Sequence, residues 1–68
     1  LFAEDEGLKL ILQLISQALR CLTSEGLLFI EADPQQHNRI INEAVKNGFV
    51  KERVLNYILV LRFTGAQD

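Results

Sequence analysis

Gly26-Leu27-Leu28-Phe29-Ile30-Glu31-Ala32-Asp33 is the stretch whose reading decides the fold. Its four consecutive apolar residues, Leu27 to Ile30, predict a buried strand. A strand that is apolar at every position needs both faces covered, as in the parallel part of an α/β sheet. The acids Glu31 and Asp33 stand at its carboxyl end, the end that faces the ligand crevice in open α/β sheets.

Working outward, the residues before this strand predict a helix. Leu8, Ile11, Leu12, Ile15, Ala18, Leu19 and Leu22 keep the spacing of one helical face, with Lys9, Gln13, Ser16, Gln17 and Arg20 largely elsewhere. Leu10 and Leu14 widen the stripe, which implies contact with more than one neighbour. Leu1–Gly7 is an entry segment whose run Glu4-Asp5-Glu6 meets the positive end of the helix dipole as a solvated helix start. Thr23-Ser24-Glu25-Gly26 closes the helix, with Gly26 free to adopt a positive φ.

After the strand, Asp33 is placed to cap a second helix, Pro34 suits its first position, and Gln36 completes a capping-box spacing. That helix runs to about Asn47. Its apolar face is Ile40, Ile41, Ala44 and Val45, with His37, Asn38, Arg39, Asn42 and Glu43 mostly outside it. Gly48 followed by Phe49 is the pattern of a left-handed helix end with a hydrophobic return. Val50, Glu52 and Val54 then alternate with Lys51 and Arg53, predicting an edge strand with two unlike faces. Leu55-Asn56 is the expected reversal and Tyr57–Leu61 an interior strand, with Arg62 to Asp68 as strand end and tail. No repeat, linker or low-complexity tract interrupts this order.

Sixty-eight residues make one small domain without an internal boundary. A chain this short buries only about 60% of its unfolded surface. The net charge of -2, with scattered rather than clustered cations, gives no footprint for nucleic acid. Cys21 is the only cysteine, so no internal disulfide framework exists, in keeping with a reducing compartment or an unstapled domain. The apolar run Leu8–Ile15 contains Lys9 and Gln13 and falls short of the ~20 residues of a membrane span. No signal peptide is evident. The chain begins at Leu1 and contains no methionine, so it reads as a piece of a longer polypeptide.

The strand opened by Gly26-Leu27-Leu28, the helix ending in Lys46-Asn47-Gly48-Phe49 and the final hairpin together resemble the carboxyl-terminal third of a class I S-adenosylmethionine-dependent methyltransferase. In that fold the last strand runs antiparallel and inserts between its two predecessors. Three stretches are most similar to the HemK-type glutamine methyltransferases, which modify the Gly-Gly-Gln glutamine of peptide-chain release factors. They are Leu1 to Leu8, resembling that family's acidic-then-Gly-Leu segment; Ala18 to Glu31, resembling its helix end and fifth strand; and Gln36 to Phe49, resembling the following helix and its Gly-Phe exit.

The resemblance implies an α/β fold, the carboxyl-terminal portion of a Rossmann-like methyltransferase sheet in the order helix, strand, helix, strand, strand. It implies S-adenosylmethionine as cofactor of the parent enzyme, a release factor as its substrate, and the cytoplasm or an organelle matrix such as the mitochondrial one as its location. The remaining amino-terminal part of the domain is the implied partner. The family's Asn-Pro-Pro-Tyr motif and a Gly-x-Gly-x-Gly cofactor loop do not occur in the sequence. No catalytic or cofactor-binding residue is therefore carried over, and the chain alone is expected to be inactive. The family's last hairpin usually has a longer loop with Gly and Arg than Leu55-Asn56 provides.

Among the residues themselves, Glu31 and Asp33 could form a carboxylate pair at the crevice, although capping accounts for Asp33 and emergence from the sheet for Glu31. His37 has no metal-ligand spacing with a Cys or carboxylate and reads as a solvated helix residue, so no metal is expected. Cys21 reads as a packed or partly exposed thiol, and Tyr57 as a strand aromatic with its hydroxyl at an edge. Arg20, Arg39, Arg53 and Arg62 fall on separate elements and are expected to be solvated or paired singly. Two alternatives stand beside the glutamine enzyme. One is part of an RNA or small-molecule methyltransferase of the same fold. The other is a small non-enzymatic α/β interaction module that uses the first helix's spare apolar surface or the Val50–Val54 edge.

Overall fold

The computed structural model describes residues 4–18 and 20–65. Helix α1 (Glu4–Ala18), strand β1 (Leu27–Glu31), helix α2 (His37–Lys46) and strands β2 (Phe49–Leu55) and β3 (Ile58–Phe63) follow in that order. A short 3-10 turn, Pro34–Gln36, leads into α2. The fold is α/β, two helices on a three-stranded sheet of order β1-β3-β2. β3 is antiparallel to both neighbours, so β1 and β2 run parallel to each other on either side of it. Leu1–Ala3, Leu19 and the end of the expected tail, Ala66–Asp68, lie outside the described residues.

Register decides which side chains form the core, because residues opposite one another in a ladder share a face. Leu59 lies between Ile30 and Val54, and Leu61 between Leu28 and Lys51. This face, with Phe49, meets Ile15 and Ala18 of α1 and Ile40 and Ala44 of α2 in one hydrophobic cluster. The Phe49 ring, expected to fold back on α2, enters this core and meets Phe63 with centroids 5.2 Å apart. The opposite face carries Leu27, Phe29 and Glu31 from β1, Ile58, Val60 and Arg62 from β3, and Val50, Arg53 and Leu55 from β2. No described helix covers it. The expectation that both faces of β1 are covered is thus corrected: both helices are used on one side, and Phe29 is left 63% exposed.

Local chemistry explains most of the element boundaries, and also where they shift. α1 begins at Glu4, so the acids lie in its first turns rather than before it, and it ends at Ala18. Leu22, beyond that end, still packs on the core because Cys21 and Leu22 both donate backbone N–H bonds to Ala18 O, at 3.0 and 3.1 Å. In the following turn Glu25, not Gly26, takes the left-handed conformation, φ 73. Gly26 is needed for closeness instead, since a Cβ there would come within 2.9 Å of Thr23 O. Before the second helix, Asp33 Oδ1 accepts from the Gln35 N–H at 2.8 Å, and the tight 3-10 geometry of Pro34–Gln36 delays the α-helix to His37. At its end Gly48 adopts φ 88 and donates to Val45 O at 3.2 Å, as the sequence pattern requires.

The β2–β3 hairpin departs further from expectation. Leu55 is still paired, with Ile58, so the two-residue turn is Asn56-Tyr57, with Asn56 at φ 54. Lys51 pairs with Leu61 but Arg53 with Val60, so Glu52 is the extra residue of a β-bulge. The bulge breaks the simple alternation: Lys51 and Val54 share the helix side, whereas Val50, Arg53 and Leu55 share the open side.

The helices also differ in how they are flanked. α2 lies against β2 and α1 beside α2, which puts α1 over the β1 side of the sheet. Leu8, Lys9 and Leu12 of α1 face Arg39 of α2 across a groove. Helical spacing turns Leu10 and Leu14 to the opposite flank, toward the free edge of β1, where they remain 47% and 48% exposed. The surplus stripe width is real, and no described residue covers it.

Leu59→Ala, at a position with no exposed surface, is expected to lose about 2–5 kcal/mol, enough to leave so small a domain largely unfolded at 25 °C. Phe29→Thr is expected to change stability by less than about 1 kcal/mol. Urea denaturation followed by circular dichroism checks both.

Candidate functional site

Three segments converge at the carboxyl end of β1, and Ala32 is their meeting point. Its N–H donates to Tyr57 O at 2.9 Å, binding the β1 exit to the hairpin turn. Its carbonyl accepts from His37 Nε2 at 3.0 Å, binding it to the first turn of α2. A carbonyl can only accept, so the bond requires the proton on Nε2. His37 is 6% exposed, which corrects its reading as a solvated helix residue: it stands three, four and seven residues before Ile40, Ile41 and Ala44, on the face of α2 that packs inward. The Gln36 N–H donates to Asp33 O at 2.8 Å, completing the turn.

Glu31 and Asp33 are not brought together as a working pair. Glu31 opposite Ile58 lies on the open face, exposed, while the Asp33 carboxylate is occupied in capping. Tyr57 belongs to the turn rather than to a strand and is exposed. Cys21 is exposed in the turn after α1. Among the described residues no three His, Cys, Asp or Glu side chains form a metal-binding group. No described helix is long and apolar enough to cross a membrane.

The open face is the larger feature. Phe29, Val60 and Arg53 form one row across the three strands, and the flanking pair shields Val60 to 4% exposure although no helix lies above it. With Leu27, Glu52 and Leu55 these three line a groove of about 470 Å³. At its end Arg62 holds two carboxylates, Glu52 Oε1 from Nε at 2.8 Å and Glu25 Oε1 from Nη1 at 3.1 Å. Arg62 is therefore paired doubly, not singly. The bulge brings Glu52 to this face, and the left-handed Glu25 sets the second acid at the start of β1. The Glu52 hydrogen bond, then the Glu25 charge, raise the Arg62 pKa above its ordinary value. A raised cationic pKa contributes stability below the unfolded value and loses it only as the pH climbs through the folded one, so Arg62 keeps its charge across the neutral range.

Sequence reasoning missed Arg62, Glu25 and Glu52 as a unit because they are distant in the chain. The one available signal was that Glu52 sits mid-strand between cations. The sequence matches no family model, and neither a curated protein nor a solved structure is significantly similar to it.

His37→Ala would leave the Ala32 carbonyl without its partner in a buried position, at a cost of about 1–3 kcal/mol. Asp33→Ala, which removes an exposed cap, is expected to cost about 1 kcal/mol. Thermal unfolding of the two variants at neutral pH should rank them in that order; a smaller loss for His37→Ala than for Asp33→Ala would contradict the role assigned to the Ala32 junction.

Proposed function

We propose that the chain is the sheet-closing, carboxyl-terminal part of a class I S-adenosylmethionine-dependent methyltransferase domain, and within that fold of a protein-glutamine methyltransferase acting on release factors. The observation that carries the reading is topological. β3 runs antiparallel between two mutually parallel strands, the arrangement with which that fold ends. The uncovered surfaces add support: the open sheet face, the free edge of β1 and the Leu10–Leu14 flank of α1 all suit a continuation of the domain beyond β1. By contrast, Lys51, Glu52, Arg53 and the bulge guard the β2 edge, as edges meant to stay unpaired are guarded.

The residues present do not fit the cofactor. Gly26 and Gly48 are committed to a close turn and a helix end, and no Gly-rich loop adjoins either groove, so no catalytic step is assigned to this chain. Its role in the reading is to close the sheet and to hold the β1 exit, through Ala32, at the rim of a crevice formed by the rest of the domain. The short Asn56-Tyr57 turn cannot supply contacts made by the longer hairpin loop of HemK-type enzymes.

A second reading, the α/β interaction module, is favoured by a different observation. Ile15, Ile40, Phe49, Leu59 and Leu61 are all fully enclosed by this chain's own residues. The edge it would use is β1 rather than the guarded Val50–Val54 edge.

The methyltransferase reading expects no binding of S-adenosylmethionine to the 68-residue chain in titration calorimetry and no methyl transfer. It also expects an Asn-Pro-Pro-Tyr motif and a Gly-rich loop in the codons preceding Leu1. A stoichiometric micromolar complex with the isolated chain, or an upstream sequence lacking both motifs, would overturn it.

A further inference from the structure

We infer that the 68-residue chain closes its exposed β1 side on a second copy of itself, through an antiparallel β1–β1 pair centred on Phe29 with the two α1 helices packed side by side. The inference does not rest on the methyltransferase reading. A longer polypeptide with its own strand at β1 would displace the second copy, so the two are tested separately.

Three observations lead to this occupant. First, the hydrogen-bond phase of β1 is fixed at both ends. Phe63 N–H donates to Gly26 O at 2.8 Å and Ala32 N–H to Tyr57 O at 2.9 Å, in a ladder that pairs each even-numbered residue of β1 with an odd-numbered one of β3. Bonded pairs alternate along an antiparallel ladder, so the even-numbered residues of β1 turn their N–H and C=O groups to β3. Leu27, Phe29 and Glu31 turn theirs outward. A two-fold axis at Phe29 sets Phe29 against Phe29 and Leu27 against Glu31 of the other copy, so every outward group of the strand finds a partner. Nothing on this edge opposes pairing: β1 has no bulge, proline or cation.

Second, the same axis respects both faces. Leu28 is set against Ile30 of the other copy on the helix side, so the apolar layer continues across the junction into a six-stranded sheet.

Third, the axis brings the two α1 helices together antiparallel along the flank that faces the β1 edge. Gly7, Leu10, Leu14 and Gln17 lie along that flank at alternating spacings of three and four, the spacing of a two-helix seam. An antiparallel match sets Leu10 against Leu14 of the other copy. A Cβ at Gly7 would meet nothing within 4 Å in the single chain, leaving room for close approach opposite Gln17. The strand pair alone is below the size of a specific interface. Stable, specific complexes bury about 1,200 Å² or more, so the dimer is expected to need the helix pair as well as the strand pair.

The test uses two exposed positions on a Cys21→Ser background, so that the remaining thiol is the one introduced. In the proposed register, Cα atoms at position 29 lie about 5.5 Å apart across the axis, within disulfide reach, whereas those at position 27 are separated by about four residues of strand, roughly 13 Å. Phe29→Cys is expected to form a disulfide-linked dimer under air oxidation with an unchanged circular dichroism spectrum, and Leu27→Cys to remain at least tenfold less cross-linked. Sedimentation equilibrium of the unsubstituted chain should show concentration-dependent dimerisation, and the double variant Leu10→Lys, Leu14→Lys should sediment as a folded monomer. A monomeric unsubstituted chain at about 100 µM, a concentration that populates any dimer of comparable Kd, overturns the inference. So does equal cross-linking at both positions, or a double variant that still dimerises.

Discussion

Leu59 and Leu61, enclosed between two flanking strands and two helices, are the constraint from which the rest of the structure follows. They are fully buried because β3 occupies the middle of the sheet and turns its odd-numbered residues to the helix layer. A central strand needs ladders on both sides, and the chain supplies them in two ways, locally through the Asn56-Tyr57 turn and at long range through β1. The long-range ladder forces α1 and α2 onto one face, since both must close over the same row of leucines. Leu59 and Leu61 are fully enclosed on that side, whereas on the other no helix lies over the sheet and only Val60 is buried, by its neighbours in the sheet.

That asymmetry separates holding from recognition. The groups that hold the fold are backbone bonds at junctions, above all those of Ala32, and side chains that satisfy them, such as His37 and Asp33. The surfaces left over are apolar and lie around β1: the row through Phe29, the outward amides of Leu27, Phe29 and Glu31, and the flank of α1. Charge is concentrated where pairing is unwanted, on β2. A sheet with one guarded and one unguarded edge has a direction in which it can grow, and every reading of this chain turns on what occupies that direction.

The sequence made legible whatever depends on neighbours in the chain. The order of elements, the Asp33 cap, the Gly48 helix end, the surplus width of α1 and the central place of the last strand could all be read from local pattern. What could not be read depends on cross-strand register or on contacts between elements. Leu27–Ile30 is apolar enough for two covered faces, but coverage is set by how many helices the domain has. His37 looked solvated because its carbonyl partner comes from the β1 exit. The bulge at Glu52 was hidden because Lys51, Glu52 and Arg53 fit a plain alternation until paired with Val60 and Leu61. The two carboxylates at the end of β1 were visible in the sequence, but their separate placements, Glu31 on the open face and Asp33 in the cap, were not.

The bulge has a consequence for how this hairpin can change in length. On its Phe49 side β2 pairs with β3 in one phase and on its Leu55 side in a phase displaced by one residue, so Glu52 belongs to neither. Removing that residue alone would merge the two phases into one regular ladder. Every other β2 side chain would keep its present face, and only the Arg62 cluster would lose a member. Removing Lys51 or Arg53 would also leave a regular ladder, with Glu52 moved into the vacated place opposite Leu61 or Val60. The strand thus contains a short charged stretch, Lys51 to Arg53, in which its length is uncoupled from the inside and outside pattern of its apolar residues.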